Sequence, residues 1–494
     1  MSPRTERLGA DADSLAAVVG ERLADGYRAA LVAAHEDADG FRVVYALVRP
    51  RDDRRCEVVL RTPQDRAQVP TLAGVDFALG RFEREIRDLY GITPVGHPLP
   101  RRLVRHAHWP RGWYPMRRDA DPSPLFEPDV GSFPFLTVEG DGVYEIPVGP
   151  VHAGLIEPGH FRFSVVGETI LKMKARLWFV HRGVERLLEG RTPDGAVELT
   201  ERISGDTAVG HTLAFAMAVE EAAGIEVADE DRLVRALLLE LERMHNHVAD
   251  LGALANDVGF GVVHSHAQRL RETLLRQNRA TTGHRLLRGG IRVGGARLES
   301  LPDVAMVSDV ADGAAELVEV TLGSSTVRDR FTGTAVLDHA AAHQMGTLGY
   351  VARASGLDVD ARRDHPVIDL GDAFEVVVEQ GGDVMARYLV RARELAVSAR
   401  LVGDLVGRLG GRCGSGGSVA PSGPGEGLGL AEGWRGTIAH RVELDGHGRL
   451  SRVKVVDPSF LNWPALPVAL ADTIVPDFPL ANKSFNQSYA GNDL

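Results

Sequence analysis

The stretch "DRLVRALLLELERMHNHVADLGALANDVG", Asp231 to Gly259, decides the architecture. Leu237, Leu241, Met244, Val248 and Leu251 recur at spacings of three and four, which puts them on one face of a long helix. Glu240, Arg243, His247 and Asp250 follow the same spacing beside them and form a polar ridge flanking the apolar stripe. On an exposed helix such a ridge is a solvated face of ion pairs, worth roughly a few tenths of a kcal/mol each. Buried against a partner it can relay protons, because desolvation readily moves carboxylate and imidazole pKa values.

Helical spacing also fits 166–190, 208–224, 264–281, 306–321, 335–355 and 382–408. Upstream, residues 12–37 read as a helix, "FRVVYALVRP" and "CEVVLRT" alternate as strands, and "FALGRFEREIRDLYGI" returns to helical spacing. From Pro110 to Gly142 the chain is dense in Pro, Gly and Asp, which suits an extended connector. Short strands around "YEIPVGPVHAGLIEPGHFRFSVVG" follow, and a β-rich tail closes the chain. The expected class is α+β: a small α/β domain over 1–120, a linker over 121–142, and a mainly helical domain with short β elements over 143–494. The glycine-rich stretch "GGRCGSGGSVAPSGPGEGLG" reads as flexible; it lacks the lysine and following helix of a phosphate-binding loop.

Composition narrows the function. The 494 residues are 44% hydrophobic, enough for real cores, and the net charge of −12 with no basic stripe argues against nucleic acid as a partner. With two cysteines, Cys56 and Cys413, far apart, the chain builds neither a disulfide framework nor a thiolate cluster of its own. The N-terminal segment lacks the uninterrupted apolar run of a signal peptide, so the expected location is cytoplasmic. No stretch reaches the roughly 20 apolar residues of a membrane span, so any membrane association runs through a partner.

Polar residues gather in three further places. In "GPVHAGLIEPGHFRF", His152, Glu157 and His160 crowd a turn that Gly and Pro explain by themselves; three ionisable groups in nine residues suit either loop solvation or proton chemistry. In "ERISGDTAVGH", Ser204 and Thr207 stand three apart, and in "SFNQSYAGNDL" so do Ser488 and Gly491. Set in glycine turns, the two pairs look like Cys-x-x-Cys sites without thiols.

These residues resemble two related families along nearly the whole chain. "FEREIRDLYGITPVGHPLPRRLV" is similar to the C-type component of NADH-quinone oxidoreductase, complex I. "GPVHAGLIEPGHFRFSVVGE", "HRGVERLLEG", "ELERMHNHVADLGALANDVG", "IRVGG" and "GDVMARYLVRARE" resemble the D-type component of complex I and, more closely, the large subunit of energy-converting [NiFe] hydrogenases of the formate hydrogenlyase type. The order matches a fused C/D polypeptide.

The resemblance implies that Ser204, Thr207, Ser488 and Gly491 stand where four thiolates hold nickel and iron. A hydroxyl stays protonated near neutral pH and is a poor ligand, and glycine is none, so the expected metal complement is none. The chain ends soon after the second pair, so the extension that such hydrogenases remove on maturation is expected to be absent. By the same resemblance Glu157 matches a proton-passing glutamate and Arg435 in "GWRGTIAH" an arginine facing the diatomic ligands. His152 fits one quinone-binding histidine of the D-type component, while Ile156 takes the second histidine's place and Gly205 that of the quinone-binding tyrosine.

The reading that follows is a peripheral-arm subunit of a membrane-bound, complex-I-like or hydrogenase-related oxidoreductase, at the cytoplasmic face. Glu157, His152 and His160 are its candidate catalytic residues; Glu240, Arg243, His247, Asp250 and Arg435 are its relay or interface residues. Expected partners are a small subunit with an iron–sulfur cluster, an integral membrane subunit and antiporter-like subunits. Three alternatives stand beside it: a quinone-reducing subunit using His152, His160 and Tyr489, a scaffold without its own reaction, and an active hydrogenase if nickel is found.

Overall fold

The computed structural model describes residues 5–126, 128, 133–153, 156–417 and 419–494. Gly154 and Leu155 of the first loop, part of the linker and Ser418 of the glycine-rich stretch lie outside these. Four strands open the fold: β1 (Thr5–Ala10), β2 (Arg28–Asp37), β3 (Gly40–Arg49) and β4 (Arg54–Thr62), in the order β1-β4-β3-β2, with β1 parallel to β4. Helices α1 (Leu15–Ala24) and α2 (Phe77–Tyr90) accompany them, α2 capped by the Asp76 side chain on the Leu79 N–H and ended by Gly91 in the left-handed region.

The expected helix over 12–37 is therefore half wrong. It stops before Gly26, at φ +84°, and "RAALVAAHED" becomes β2. Alanine favours helix intrinsically, but these residues are almost all buried, paired with β3 on one side and covered on the other by the tail strand Leu450–Val456, whose Arg452 donates to the Ala34 carbonyl. Burial and pairing outweigh a propensity of under about 1 kcal/mol per residue.

The helix expected over 166–190 is absent too. Thr169–Arg176 is a strand paired antiparallel with His160–Val166 across Gly167 and Glu168, a two-residue turn whose left-handed glycine was the overlooked signal. A short helix, Val184–Leu188, follows. The 335–355 segment forms two short helices, His339–Met345 and Gly349–Ala354, parted by left-handed Gly346. The remaining expected helices are present as Ala208–Ala223, Asp229–Asp257, Gly261–Thr282, Val304–Gly323 and Val384–Leu409.

The last five residues of the glycine-rich stretch begin a strand. Gly425–Gly433, Gly436–Leu444 and Leu450–Val456 form an antiparallel sheet in chain order, and its first strand lies on the helix Ala208–Ala223. A Cβ at Gly425, Gly427 or Gly429 would come within 1.8, 2.1 or 1.9 Å of the carbonyl oxygens of Ala222, Ala218 and Ala214. Four residues of helix rise about 6 Å and two residues of strand about 6.7 Å, so the registers stay matched over all three contacts. Glycine is required here for close approach.

Buried ion pairs fasten this tail sheet to the N-terminal part: Arg441 to Glu57 at 2.7 Å, Arg42 to Glu443 at 2.8 Å, and Lys454 to Glu85 at 2.8 Å. The apolar core runs through both parts. No described helix is long and apolar enough to cross a membrane.

Candidate functional site

Three elements bring the emptied positions together. Ser204, Asp206 and Thr207 form the turn before the helix Ala208–Ala223; Arg435 sits with Trp434 at the tip of the two-residue hairpin between Gly433 and Gly436; Ser488 caps the last short helix, Tyr489–Asp493. The Ser204 and Ser488 hydroxyls are 2.8 Å apart, so the two pairs of the sequence do share one place. Ser488 also accepts from the Gly491 N–H at 2.8 Å, an N-cap that gives the serine a structural role.

These residues do not fit a nickel–iron centre. Three of the positions present only hydroxyls, and the fourth has no room for a side chain: a Cβ on Gly491 would lie 2.6 Å from Asp457 Cγ. Asp457 is itself fixed, with Oδ2 2.9 Å from His211 Nε2 and Oδ1 accepting from the Ser459 N–H, while His211 Nδ1 lies 3.1 Å from His440 Nε2. Burial and the neighbouring His211 hold His440 well below the usual imidazole range.

An ion pair stands at the centre instead. Arg435 donates from Nη1 and Nη2 to the two oxygens of Asp206, both at 2.7 Å, and Ser204 and Thr207 each donate to Asp206 Oδ1 at 2.9 Å. Burial opposes ionisation of Asp206, but the Arg435 charge, its hydrogen bonds and the two hydroxyls outweigh it and keep the carboxyl well below its ordinary range. The Asp206 side chain nevertheless stays 38% exposed, so this pair sits at a mouth. Sequence reading passed over Asp206; its signal was a carboxylate between the two thiol-like positions.

Behind the turn, Glu242 reaches from the long helix to the N–H groups of Val209 and Gly210 at 2.7 and 3.0 Å, serving amides that Thr207 leaves uncapped. Burial, with the like charge of Asp206 assisting, pushes Glu242 up to about 8 despite these bonds. Glu242 was also missed, being one more acid on a charged helix.

The ridge is buried, and its partner is this same chain. Glu240, Arg243, His247 and Asp250 are all buried, which overturns the solvated-face reading. Arg391, Glu394 and Ser398 on the helix Val384–Leu409 meet them in antiparallel register: Arg391 to Asp250 at 2.9 Å, Glu394 to His247 at 2.8 Å, Ser398 to Glu240 at 2.6 Å. Arg362 reaches Glu240 at 3.2 Å, and Arg353 joins Glu394 at 2.6 Å to Glu432 at 2.8 Å. Burial alone would raise Glu394, but Arg353 and His247 hold it below the carboxylate range. The three-and-four spacing of Arg391, Glu394 and Ser398 was legible and went unread. From the ridge the bonds continue to the mouth, since Asn486 donates to Asp250 Oδ1 at 2.6 Å and accepts from Arg435 Nε at 2.6 Å.

The first loop meets this assembly through one residue. Glu157 accepts from the Ala490 N–H at 3.0 Å, next to Gly491, and its charge acts on Tyr489, Asp493 and Arg182. His152 and His160 engage carbonyls of their own loop, Gly159 at 2.8 Å and Gly149 at 3.0 Å. Tyr489 packs against Gly159, where a Cβ would lie 2.4 Å from its ring, and burial pushes its phenol up to about 12.

Comparison with known proteins shows the family. Family models match for the respiratory-chain NADH dehydrogenase 30 Kd subunit over residues 11–124, the 49 Kd subunit over 257–416, and nickel-dependent hydrogenase over 182–255, a segment containing Ser204 and Thr207. Formate hydrogenlyase subunit 5 of Escherichia coli (strain K12) is 33% identical over 92% of this chain and 82% of its own length. Hydrogenase-4 component G of the same organism is 32% identical over 92% and 81%. The fused C/D polypeptide of NADH-quinone oxidoreductase from Phocaeicola vulgatus is 30% identical over 74% and 75%. A chain from the membrane-bound sulfane sulfur reductase, an archaeal respiratory membrane complex, superposes with a TM-score of 0.66 at 26% identity, covering 72% of this chain and 99% of that one. The chain belongs to the family of fused 30 Kd/49 Kd, or C/D-type, complex I subunits and their formate hydrogenlyase-type hydrogenase relatives.

Proposed function

We propose that this chain is the peripheral-arm subunit of a membrane-bound, complex-I-like oxidoreductase, that it works without a nickel–iron centre, and that it couples electron transfer in its partners to proton movement. The single observation that carries the reading is the run of polar contacts that starts at Asp206 and Arg435, where the metal would sit, and goes through Asn486 to the buried Asp250–Arg391 pair, on the same helix face as the buried His247, Arg243 and Glu240. Glu157, against the Ala490 amide, is the titratable group at its edge, with His152 and His160 on the same loop. Carboxylates and imidazoles in a low-dielectric interior exchange protons with small changes in neighbouring charge.

The partners that suit this reading are a small subunit with an iron–sulfur cluster, an integral membrane subunit and antiporter-like subunits. Attachment at the cytoplasmic membrane face then depends on them, and the chain should leave the membrane when they are removed.

The test is Glu157→Gln, which keeps size and hydrogen bonding but removes the ionisable group. Co-purification should show an intact complex, while turnover-linked ion movement in inverted vesicles falls by roughly 10²-fold or more. Intact assembly with unaltered ion movement would remove Glu157 from the mechanism. Elemental analysis should find no stoichiometric nickel, even with cysteines placed at 204, 207, 488 and 491, because a side chain at 491 collides with Asp457.

A further inference from the structure

Replacing the thiol positions has inverted the polarity of this site. Four thiolates would surround cations; here hydroxyl and guanidinium donors surround an anion. We propose that Ser204, Thr207 and Arg435 form a binding site for a small carboxylate, occupied in the resting chain by the side chain of Asp206. This goes beyond the proton-coupling reading and does not depend on it.

The donors converge as a carboxylate requires. Oδ1 of Asp206 takes bonds from Ser204 Oγ, Thr207 Oγ1 and Arg435 Nη1, and Oδ2 takes one from Arg435 Nη2, the two-pronged geometry by which a guanidinium reads a carboxylate. Ser204, Thr207 and Arg435 are all buried, whereas the side chain of Asp206, the occupant, is part-exposed. That contrast separates a pocket from its plug.

The pocket is held independently of the plug. Arg435 is fixed from behind by its Nε bond to the Asn486 carbonyl and lies 4.0 Å over the Trp434 ring. Ser204 is in addition 2.8 Å from Ser488. The Asp206 carbonyl accepts from Trp434 Nε1 at 3.1 Å and Asn246 Nδ2 at 2.8 Å, which pins the backbone of the turn without help from the side chain. The other acids nearby do not fill the place: Asp457 is engaged by His211, Asp250 by Arg391, and Glu242 by backbone amides. Removing the Asp206 carboxylate therefore leaves a formed, open site for a carboxylate of acetate's size.

The experiment uses the full chain and acetate as the probe. Asp206→Ala should unfold at a lower urea concentration than the natural chain, and sodium acetate should restore its midpoint saturably in the millimolar range, while sodium chloride at equal ionic strength does not. The natural chain, its site already filled, should not respond, and Asp206→Ala with Arg435→Gln should lose the response. Equal effects of acetate and chloride on Asp206→Ala, or an unchanged acetate response without Arg435, would overturn the proposal. Should Asp206→Ala not accumulate, Asp206→Asn tests the same charge: its deficit against the natural chain should vanish as pH falls below the carboxylate range, and a deficit independent of pH would overturn it.

Discussion

The closed ridge and the open mouth are built from the same chemical groups and differ in what surrounds them. Along the ridge, Glu240, Glu394 and Arg353 are sealed inside the protein, each answered by another side chain of this chain. At the mouth, Asp206 and Arg435 make an equally direct pair, yet the Asp206 side chain is part-exposed. A sealed network specifies one arrangement of its two helices, because any unpaired member bears the full cost of desolvation. A pair at a mouth leaves a place that a carboxylate from solution can take once its own is removed.

That contrast breaks most visibly at Arg353. Arg353→Met leaves Glu394, Glu432 and Asp360 without their shared cation and should cost about 3–5 kcal/mol in urea unfolding. Adding Glu432→Gln should recover part of the loss. A single-variant loss below about 1 kcal/mol would mean that the network is not sealed.

Glu242, lying between the two regions, sharpens the comparison through pH. Its unfolded form releases a proton in the ordinary glutamate range, whereas the folded form keeps it until about 8, so the folded state holds more protons in that window. Stability from this group should fall as pH rises through the window, at up to about 1.4 kcal/mol per pH unit, and level off above it. Glu242→Gln should remove that slope. A slope unchanged in the variant would assign it to other groups.

The smallest effect belongs to the mouth's hydroxyls. Ser204→Ala removes one of four donors to Asp206 and the contact with Ser488, and should cost about 1 kcal/mol. A loss as large as that of Arg353→Met would place the mouth inside the sealed core.

Much of the fold was legible because its signals are local. The three-and-four spacing gave Asp229–Asp257 and the other long helices, and alternation gave β3 and β4. The failures at 12–37 and 166–190 come from strands whose residues were chosen by neighbours distant in sequence, the sheet partner and the covering tail. Among the residues at the mouth and its edge, Glu157 and Arg435 were singled out by resemblance. Asp206 and Glu242 were not, since nothing in a single chain's letters says that a carboxylate will face a guanidinium 229 residues away or a helix end 32 residues back.

By itself the sequence determined which ligands are lacking: the chain has two cysteines, and the positions 204, 207, 488 and 491 that the resemblance assigns to nickel and iron carry no soft ligand, wherever they fall in space. It also determined the ridge, because helical period follows from backbone geometry. Only the tertiary structure decided what the ridge faces and what fills the emptied place. Burial, and with it the strength of every charge on Glu240, His247, Asp206 and Glu242, depends on atoms brought from far along the chain, and no local pattern carries that information.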